Sequence, residues 1–74
     1  MEPRPLDALN QARGKNVTVE LKNGKVFTGT LRAFDIHINV VLGSAEEKAD
    51  GEVKRKLDVV FIRGDTIILI APSN

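Results

Sequence analysis

The chain has 74 residues, no cysteine and one histidine, with 11 Lys and Arg against 10 Asp and Glu. A single domain of this length buries only about 60% of the surface that its unfolded chain exposes, and the composition excludes disulfides and a zinc centre rich in His or Cys as sources of stability. The net charge of +1 does not by itself indicate nucleic-acid binding, so any binding of an anion must depend on where individual charges lie.

The sequence predicts one soluble domain over residues 1–74, in the cytoplasm and without membrane contact. Its longest apolar run, IILIA, is far too short to cross a bilayer, and no leader of basic and then apolar residues comes first. Small domains without disulfides or metals commonly gain stability from partner subunits. We therefore expect an oligomer.

The segment RPLDALNQARG predicts a short helix over about residues 4–13. Pro5 suits a first helical turn, Asp7 lies near the positive end of the helix dipole, and Gly14 can end the helix. A helix of this length is not stable alone in water, so we expect it to pack on the rest of the domain.

The stretch NVTVELKNGKVFTGTLRAF predicts two strands joined by a hairpin at Asn23-Gly24, a strong turn signal between alternating apolar residues. In the second strand, Phe27, Leu31 and Ala33 are expected to share a face with Gly29. A glycine inside a strand predicts a sharp bend or bulge, which would let a small sheet close into a barrel.

Three further strands are predicted. The third lies in INVVLGSAEE, residues 38–47, and a turn at Asp50-Gly51 leads to the fourth in EVKRKLDVVFI, residues 52–62. The fifth lies in TIILIA, residues 66–71. The sequence thus predicts a mostly β fold, with a short N-terminal helix on a five-stranded barrel over about residues 16–72.

The fourth and fifth strands are apolar at every position of VVFI and IILI, as expected for strands covered on both faces. A domain with one core covers only one face, so we expect these strands to contact neighbouring copies and close a ring. The alternative is that VVFI lies under the helix. The residues predicted at the contact are Val59, Val60, Phe61, Ile62, Ile67, Ile68, Leu69 and Ile70.

Polar pairs interrupt these apolar strands at two junctions. His37 and Asn39 lie between the second and third strands, on one face if the stretch AFDIHINVVL is extended, and Arg63 and Asp65 lie between the fourth and fifth. An asparagine amide can match the edge of a base, and flat histidine and arginine side chains can stack on its two faces. The pairs therefore suggest a slot for one unpaired base.

Ordinary structural roles are also open for these residues. Asn39 and Asp35 could hydrogen-bond a turn, and Arg63 with Asp65 could be a solvated ion pair. A catalytic site is not predicted, because Ser44 has no glycine elbow around it and the sequence has no glycine-rich phosphate loop. We expect no metal, no cofactor and no enzymatic activity.

The combination of Gly29, the stretch FDIHINVVL and the stretch FIRGDTIILIAP resembles the two-part signature of Sm and Sm-like proteins, most closely the archaeal type, over about residues 4–72. The resemblance implies an N-terminal helix on a strongly bent, five-stranded antiparallel barrel of the SH3-like kind. It also implies that the fourth strand of one copy joins the fifth of the next in a ring, usually of seven. Such rings bind single-stranded uridine-rich RNA around the pore, one base per subunit.

The resemblance assigns RNA binding to five residues: His37, Asn39, Arg63, Gly64 and Asp65. His37 and Arg63 would stack on the base, Asn39 would read the uracil edge, and the other two would complete the slot. Asp35 and Gly29 would support the site. We therefore expect a non-catalytic scaffold or chaperone in RNA processing; the competing hypothesis is a ring that recruits proteins through its apolar edges and helix face, with incidental RNA binding.

Overall fold

The computed structural model describes residues 4–73, which form one α-helix, five β-strands and a 3-10 turn. The elements are α1 Pro5–Gln11, β1 Asn16–Leu21, β2 Val26–Phe34, β3 Val40–Ala49, β4 Glu52–Ile62, the 3-10 turn Gly64–Thr66 and β5 Ile67–Pro72. Neighbouring strands are antiparallel, in the order β4-β3-β2-β1-β5. The predicted mostly β fold, a short helix followed by five antiparallel strands in a bent sheet, is confirmed.

Helix α1 ends earlier than the sequence predicts, because the chain after Gln11 is tied to the sheet. The backbone N–H of Gly14 donates to the carbonyl of Leu31 at 2.8 Å, and the N–H of Leu31 donates to Lys15 at 2.9 Å. Gly14 has a φ of +83°, which a residue with a side chain rarely adopts. This connection leads the chain directly into β1.

Both predicted turns are present. Gly24 has a φ of +89°, and the N–H of Lys25 donates to the side chain of Asn23 at 3.0 Å within the β1–β2 connection. Asp50 and Gly51 have φ values of 54° and 77°, as in the two-residue turns that join twisted strands. Local turn chemistry therefore fixes both hairpins.

Two bulges bend β2 against β3. Opposite Gly29, the pairing skips from Thr28 and Glu46 to Thr30 and Gly43, so two residues of β3 face one of β2. A Cβ on Gly29 would lie 2.9 Å from the Gly43 carbonyl oxygen, so only glycine fits without a backbone shift.

A second irregularity between Leu31 and Ala33 corrects one prediction. Leu31 is fully buried, but Ala33 is exposed instead of sharing the inner face. The extra residue, Arg32, shifts the alternation of β2 by one position.

The core lies inside the curved sheet and contains nine buried apolar residues: Val17, Val19, Leu21, Phe27, Leu31, Val40, Leu42, Ala45 and Ile62. The β4 and β5 strands are the edges of the sheet, and each exposes large apolar side chains. These are Val53, Val59 and Phe61 on β4 and Ile68 and Leu69 on β5. Within residues 4–73, no helix is long and apolar enough to cross a membrane.

A charged cluster lies near the β3–β4 hairpin. Glu47 of β3 is buried, and it accepts hydrogen bonds from the Arg55 guanidinium, with Nε at 3.0 Å, while Lys25 Nζ lies 3.6 Å away. The Arg55 bond lowers the pKa of the Glu47 carboxyl, with a further contribution from Lys25, although burial opposes the shift. An ionised carboxylate therefore joins β3, β4 and the β1–β2 turn.

We predict that Glu47→Gln destabilises the protein at neutral pH, because Arg55 and Lys25 lose their counter-charge. The folded-state pKa lies below the ordinary value of about 4.5, so this stabilisation is present above that value and is lost as the pH falls through the folded pKa. Thermal unfolding at about pH 7 and about pH 3 should show a large difference from wild type that shrinks in acid. Glu46→Gln, on the opposite face of β3, is the matched control and should change little at either pH; an equal effect of both substitutions would contradict this role.

Candidate nucleic-acid interface

The pairing of β3 with β4 brings two distant loops together. Val40, the first residue of β3, pairs with Ile62, the last residue of β4. Because the pair is antiparallel, the residue before Val40 lies beside the residue after Ile62. This places Asn39 next to Arg63. The loop of residues 35–39 and the turn of residues 63–66 thus meet at one end of the barrel.

The Asp35 carboxylate organises the first loop. Its Oδ1 accepts the backbone N–H groups of His37 at 2.8 Å and Asn39 at 3.2 Å, and its Oδ2 accepts the Asn39 side-chain amide at 3.0 Å. The pKa of the Asp35 carboxyl is lowered chiefly by the hydrogen bond from the Asn39 side-chain amide, and further by the two backbone donors. Asp35 is therefore ionised at neutral pH, and the predicted turn role of this residue is present.

Ile38 turns the chain between the two polar residues. Its φ is +61°, a left-handed conformation that is strained for a β-branched residue, at a cost of order 1–3 kcal/mol. The expectation of an extended chain through His37 and Asn39 is therefore wrong, and β3 begins at Val40. The Asp35 hydrogen bonds overcome the strand preference that the alternating apolar residues suggest.

Asn39 links the two loops through a direct hydrogen bond. The backbone N–H of Gly64 donates to Asn39 Oδ1 at 2.8 Å. Because a carboxylate only accepts and a backbone N–H only donates, the Asp35 and Gly64 contacts together fix which end of the amide is oxygen and which is nitrogen. The amide is therefore held in one orientation by Asp35 and by Gly64, which lies 25 positions after Asn39 in the chain.

Gly64 has no room for a side chain. A Cβ there would overlap the carbonyl oxygen of His37 and lie 2.8 Å from the carbonyl carbon of Ile38. Glycine is therefore required here by the close approach of the first loop to the second turn.

Arg63 and Asp65 project from the second turn. Arg63 Nη2 donates to Asp65 Oδ2 at 3.1 Å, and the two side chains are 81% and 63% exposed. Such an exposed ion pair adds little stability but favours one position of the guanidinium.

Thr66, which is not among the predicted site residues, donates its hydroxyl to the Arg63 carbonyl at 2.6 Å and holds the turn. Hydroxyl side chains commonly bond to the backbone of turns in this way. This tendency is the sequence signal that could have identified Thr66.

The five residues predicted to bind RNA, His37, Asn39, Arg63, Gly64 and Asp65, line one pocket of about 470 Å³, here called the base slot. Asp35, predicted to support the site, does not line the slot but accepts the side-chain amide of Asn39, whereas Gly29, also predicted to support it, lies within β2 and does not line the slot. The slot offers two flat side chains, a fixed amide and an arginine charge, a combination suited to a planar polar ring. Within residues 4–73, no group of three potential ligands could hold a metal ion.

Residues 7–72 match the LSM domain family. A relative named as an snRNP Sm-like protein, from Archaeoglobus fulgidus, is 52% identical over 73 residues, which are 99% of this chain and 95% of that protein. Another, from Methanosarcina acetivorans, is 49% identical over 97% of this chain and all of that protein. The chain belongs to the family of Sm and Sm-like proteins, with archaeal relatives.

Solved structures agree with this membership. The Pyrococcus abyssi Sm protein in complex with a uridine heptamer has a TM-score of 0.92 and 45% identity, and covers 96% of this chain and all of its own. A Pyrobaculum aerophilum Sm-like heptamer has a TM-score of 0.91 and 34% identity over 100% of this chain and 99% of that one. A further heptameric archaeal Sm protein has a TM-score of 0.86 and 37% identity, with 92% and 98% coverage.

We predict that Gly64→Ala separates the two loops, because the new Cβ cannot lie beside the His37 carbonyl. Overpacking of this kind costs about 1–3 kcal/mol and should lower the unfolding midpoint by about 5 °C or more. Asp65→Ala is the control at the next position; it removes only an exposed ion pair and should shift the midpoint far less. Equal midpoints for the two variants in thermal unfolding would show that the close approach does not require glycine.

Proposed function

We propose that copies of this chain form a ring, heptameric as in the related solved structures, that binds single-stranded uridine-rich RNA with one base in each slot. The fixed orientation of the Asn39 amide carries the proposal. The ring would act as a non-catalytic scaffold or chaperone in RNA processing. The uridine heptamer bound to the similar Pyrococcus abyssi protein supports this assignment.

The Asn39 amide can distinguish uracil from cytosine. One hydrogen of Nδ2 bonds to Asp35, and the second is directed away from that carboxylate, where a base carbonyl can accept it. Uracil has a carbonyl at the position where cytosine has an amino group, which is a donor. The Asn39 donor would therefore face an acceptor in uracil but another donor in cytosine. A mismatched buried polar group is unfavourable.

His37 and Arg63 supply binding energy with little dependence on base identity. Both line the slot and both have flat side chains that can cover a base. Stacking contributes about 1–3 kcal/mol per base, so one slot binds weakly. Seven slots on one strand, at about 1.5 kcal/mol each, give about 10 kcal/mol, or a Kd of tens of nanomolar.

A ring would also explain how a chain with a near-neutral net charge can attract RNA. Each subunit places an exposed Arg63 at the slot, and a closed ring repeats that charge around one pore. Converging charges of one sign focus the potential and attract phosphates even when the average charge is close to zero.

The open sheet edges support the proposed contact between subunits. The β4 and β5 edges each have unpaired backbone groups along one side within the chain, and each exposes apolar residues, including Phe61 at 78% and Ile68 at 56%. Pairing β4 of one copy with β5 of the next would satisfy the backbone and bury these side chains. Because the two edges differ, the contact is heterologous and can close into a ring.

We predict that Asn39→Ala weakens oligo(U) binding by about tenfold or more while leaving the ring intact, because it removes the base contact and the link to Gly64 but no residue of the β4 or β5 edge. Fluorescence anisotropy measures binding, and native mass spectrometry measures assembly. Asn10→Ala, an exposed amide on α1, is the matched control and should change neither. Parallel loss of assembly and binding in Asn39→Ala would count against the assigned role.

The same assay with oligo(U) and oligo(A) across a salt series separates RNA recognition from incidental charge binding. Wild type should lose affinity for both as salt rises, because phosphate contacts are screened, but should keep its preference for uridine. Asn39→Ala should bind the two strands alike. A wild-type protein without any uridine preference would favour the competing function, a ring that recruits proteins through its apolar edges.

A further inference from the structure

A polar cavity of about 440 Å³, here called the outer cavity, lies on the outer face of the three central strands, β1, β2 and β3. The alternation of side chains places it there, because the strand neighbours of its lining residues, such as Val17 and Phe27, are buried in the core. Every side chain that lines it is polar: four hydroxyls, one amide, one carboxylate and one ammonium. Its volume is close to that of the base slot.

The outer cavity is separate from the base slot and from the sheet edges. Among residues 4–73, the two cavities have no lining residue in common. The outer cavity is formed by β1, β2 and β3, together with Ser73, which follows β5. A ring made by pairing β4 with β5 would therefore leave it open to solvent.

Hydrogen bonds within the chain fix one side of the outer cavity. The hydroxyls of Thr18 and Ser73 are 2.6 Å apart and bond to each other, which ties β1 to the end of β5. Asn16 accepts the hydroxyl of Thr30 at 3.1 Å across the β1–β2 pair. These contacts hold the first strand of the cavity in position.

Four other lining side chains have polar groups that are free to bind a ligand. Within residues 4–73, Thr28, Ser44, Glu46 and Lys48 make no side-chain hydrogen bond, and neither charged residue belongs to an ion pair. Glu46 and Lys48 are two positions apart on β3, about 6.5 Å along the strand. A carboxylate only accepts and an ammonium only donates, so together they match a ligand with a hydrogen-bond donor next to an anion.

Ser44 presents its hydroxyl from a strained backbone. Its φ is +49°, in the left-handed region that glycine adopts easily and serine does not. It lies in the bulge opposite Gly29, and its side chain is exposed at the cavity. Strain of this kind is commonly found at ligand sites. A hydroxyl where glycine would be the more favourable residue therefore points to a binding role.

The ribose phosphate of an RNA strand fits these groups. Lys48 can bind a phosphate, Glu46 can accept the 2′-hydroxyl, and the hydroxyl of Ser44 can either donate or accept. No aromatic side chain of the described residues lines the cavity, so bases would not stack there. Deoxyribose has no 2′-hydroxyl, and a DNA strand would therefore leave the Glu46 carboxylate beside phosphates without a donor.

We propose that the outer cavity binds the sugar-phosphate backbone of single-stranded RNA outside the pore, without reading its bases, and selects RNA over DNA through the 2′-hydroxyl. The inference goes beyond the proposed function, because it adds a second site on each subunit for the part of a strand that extends past the pore.

Chimeric oligonucleotides test the second site in the assembled ring. A uridine heptamer occupies the base slots, and a tail of about 15 adenosines spans about 50 Å at a rise of about 3.4 Å per nucleotide, which exceeds the 40 Å length of the chain. In fluorescence anisotropy, we expect the adenosine tail to tighten binding by about tenfold over the heptamer alone, and a deoxyadenosine tail to have little effect. Equal gains from the two tails overturn the selection of ribose.

Matched substitutions assign the gain to the outer cavity. Lys48→Gln and Thr28→Val should each remove most of the gain from the adenosine tail and leave the affinity for the heptamer unchanged, since neither residue lines the base slot. Lys22→Gln and Thr30→Val, an exposed lysine and a β2 threonine outside the cavity lining, are the controls and should keep the gain. A full gain in both cavity variants overturns the assignment.

A probe without a base separates this inference from the proposed function. Millimolar ribose 5-phosphate should shift the backbone amide NMR signals of Thr28, Ser44 and Glu46 more than 2-deoxyribose 5-phosphate does. No shift at these amides overturns the inference, and a shift without any gain from the RNA tail overturns RNA as the occupant in favour of a free sugar phosphate. Failure of the heptamer to bind overturns the proposed function alone, because the sugar-phosphate titration reports on the outer cavity independently.

Discussion

One hydrogen bond, from the backbone N–H of Gly64 to the side-chain oxygen of Asn39, joins the two halves of the candidate site. It connects a loop after β2 with a turn after β4, and it is possible only because Gly64 has no side chain to keep the loops apart. The Asp35 carboxylate supports the bond from the other end of the same amide. The positions of His37 and Arg63, the residues proposed to stack on a base, depend on this arrangement, since both loops are anchored at it.

The network also explains why the loop holds a strained residue. A left-handed isoleucine is unfavourable by itself, but Ile38 is bracketed by residues whose backbone amides bond to the ionised Asp35. Three hydrogen bonds to the carboxylate fix the loop and offset this strain. In the proposed function, a loop fixed in this way would not need to reorganise to bind a base, and such preorganisation increases affinity because less entropy is lost on binding.

The sequence predicts those parts of the structure whose causes are local. Asn23-Gly24 and Asp50-Gly51 have turn chemistry in the residues themselves, and the apolar run of β4 ends where the structure ends it, at Ile62. Ala33 and Ile38 were predicted wrongly because a bulge at Arg32 and the Asp35 network act on them from outside the local pattern. Spacing alone suggested a base slot but left ordinary loop roles open, because the meeting of the two loops depends on the β3–β4 pairing.

Amide hydrogen exchange of the protein in the absence of RNA tests whether the Asp35–Asn39–Gly64 network is preformed. The backbone N–H groups of Gly64 and His37 lie in exposed loops, where amides without acceptors exchange at rates close to those of unstructured peptides. We expect both amides to be protected by about tenfold or more, because each has a fixed side-chain acceptor. Exchange of the Gly64 amide at the unstructured rate would contradict a preformed slot.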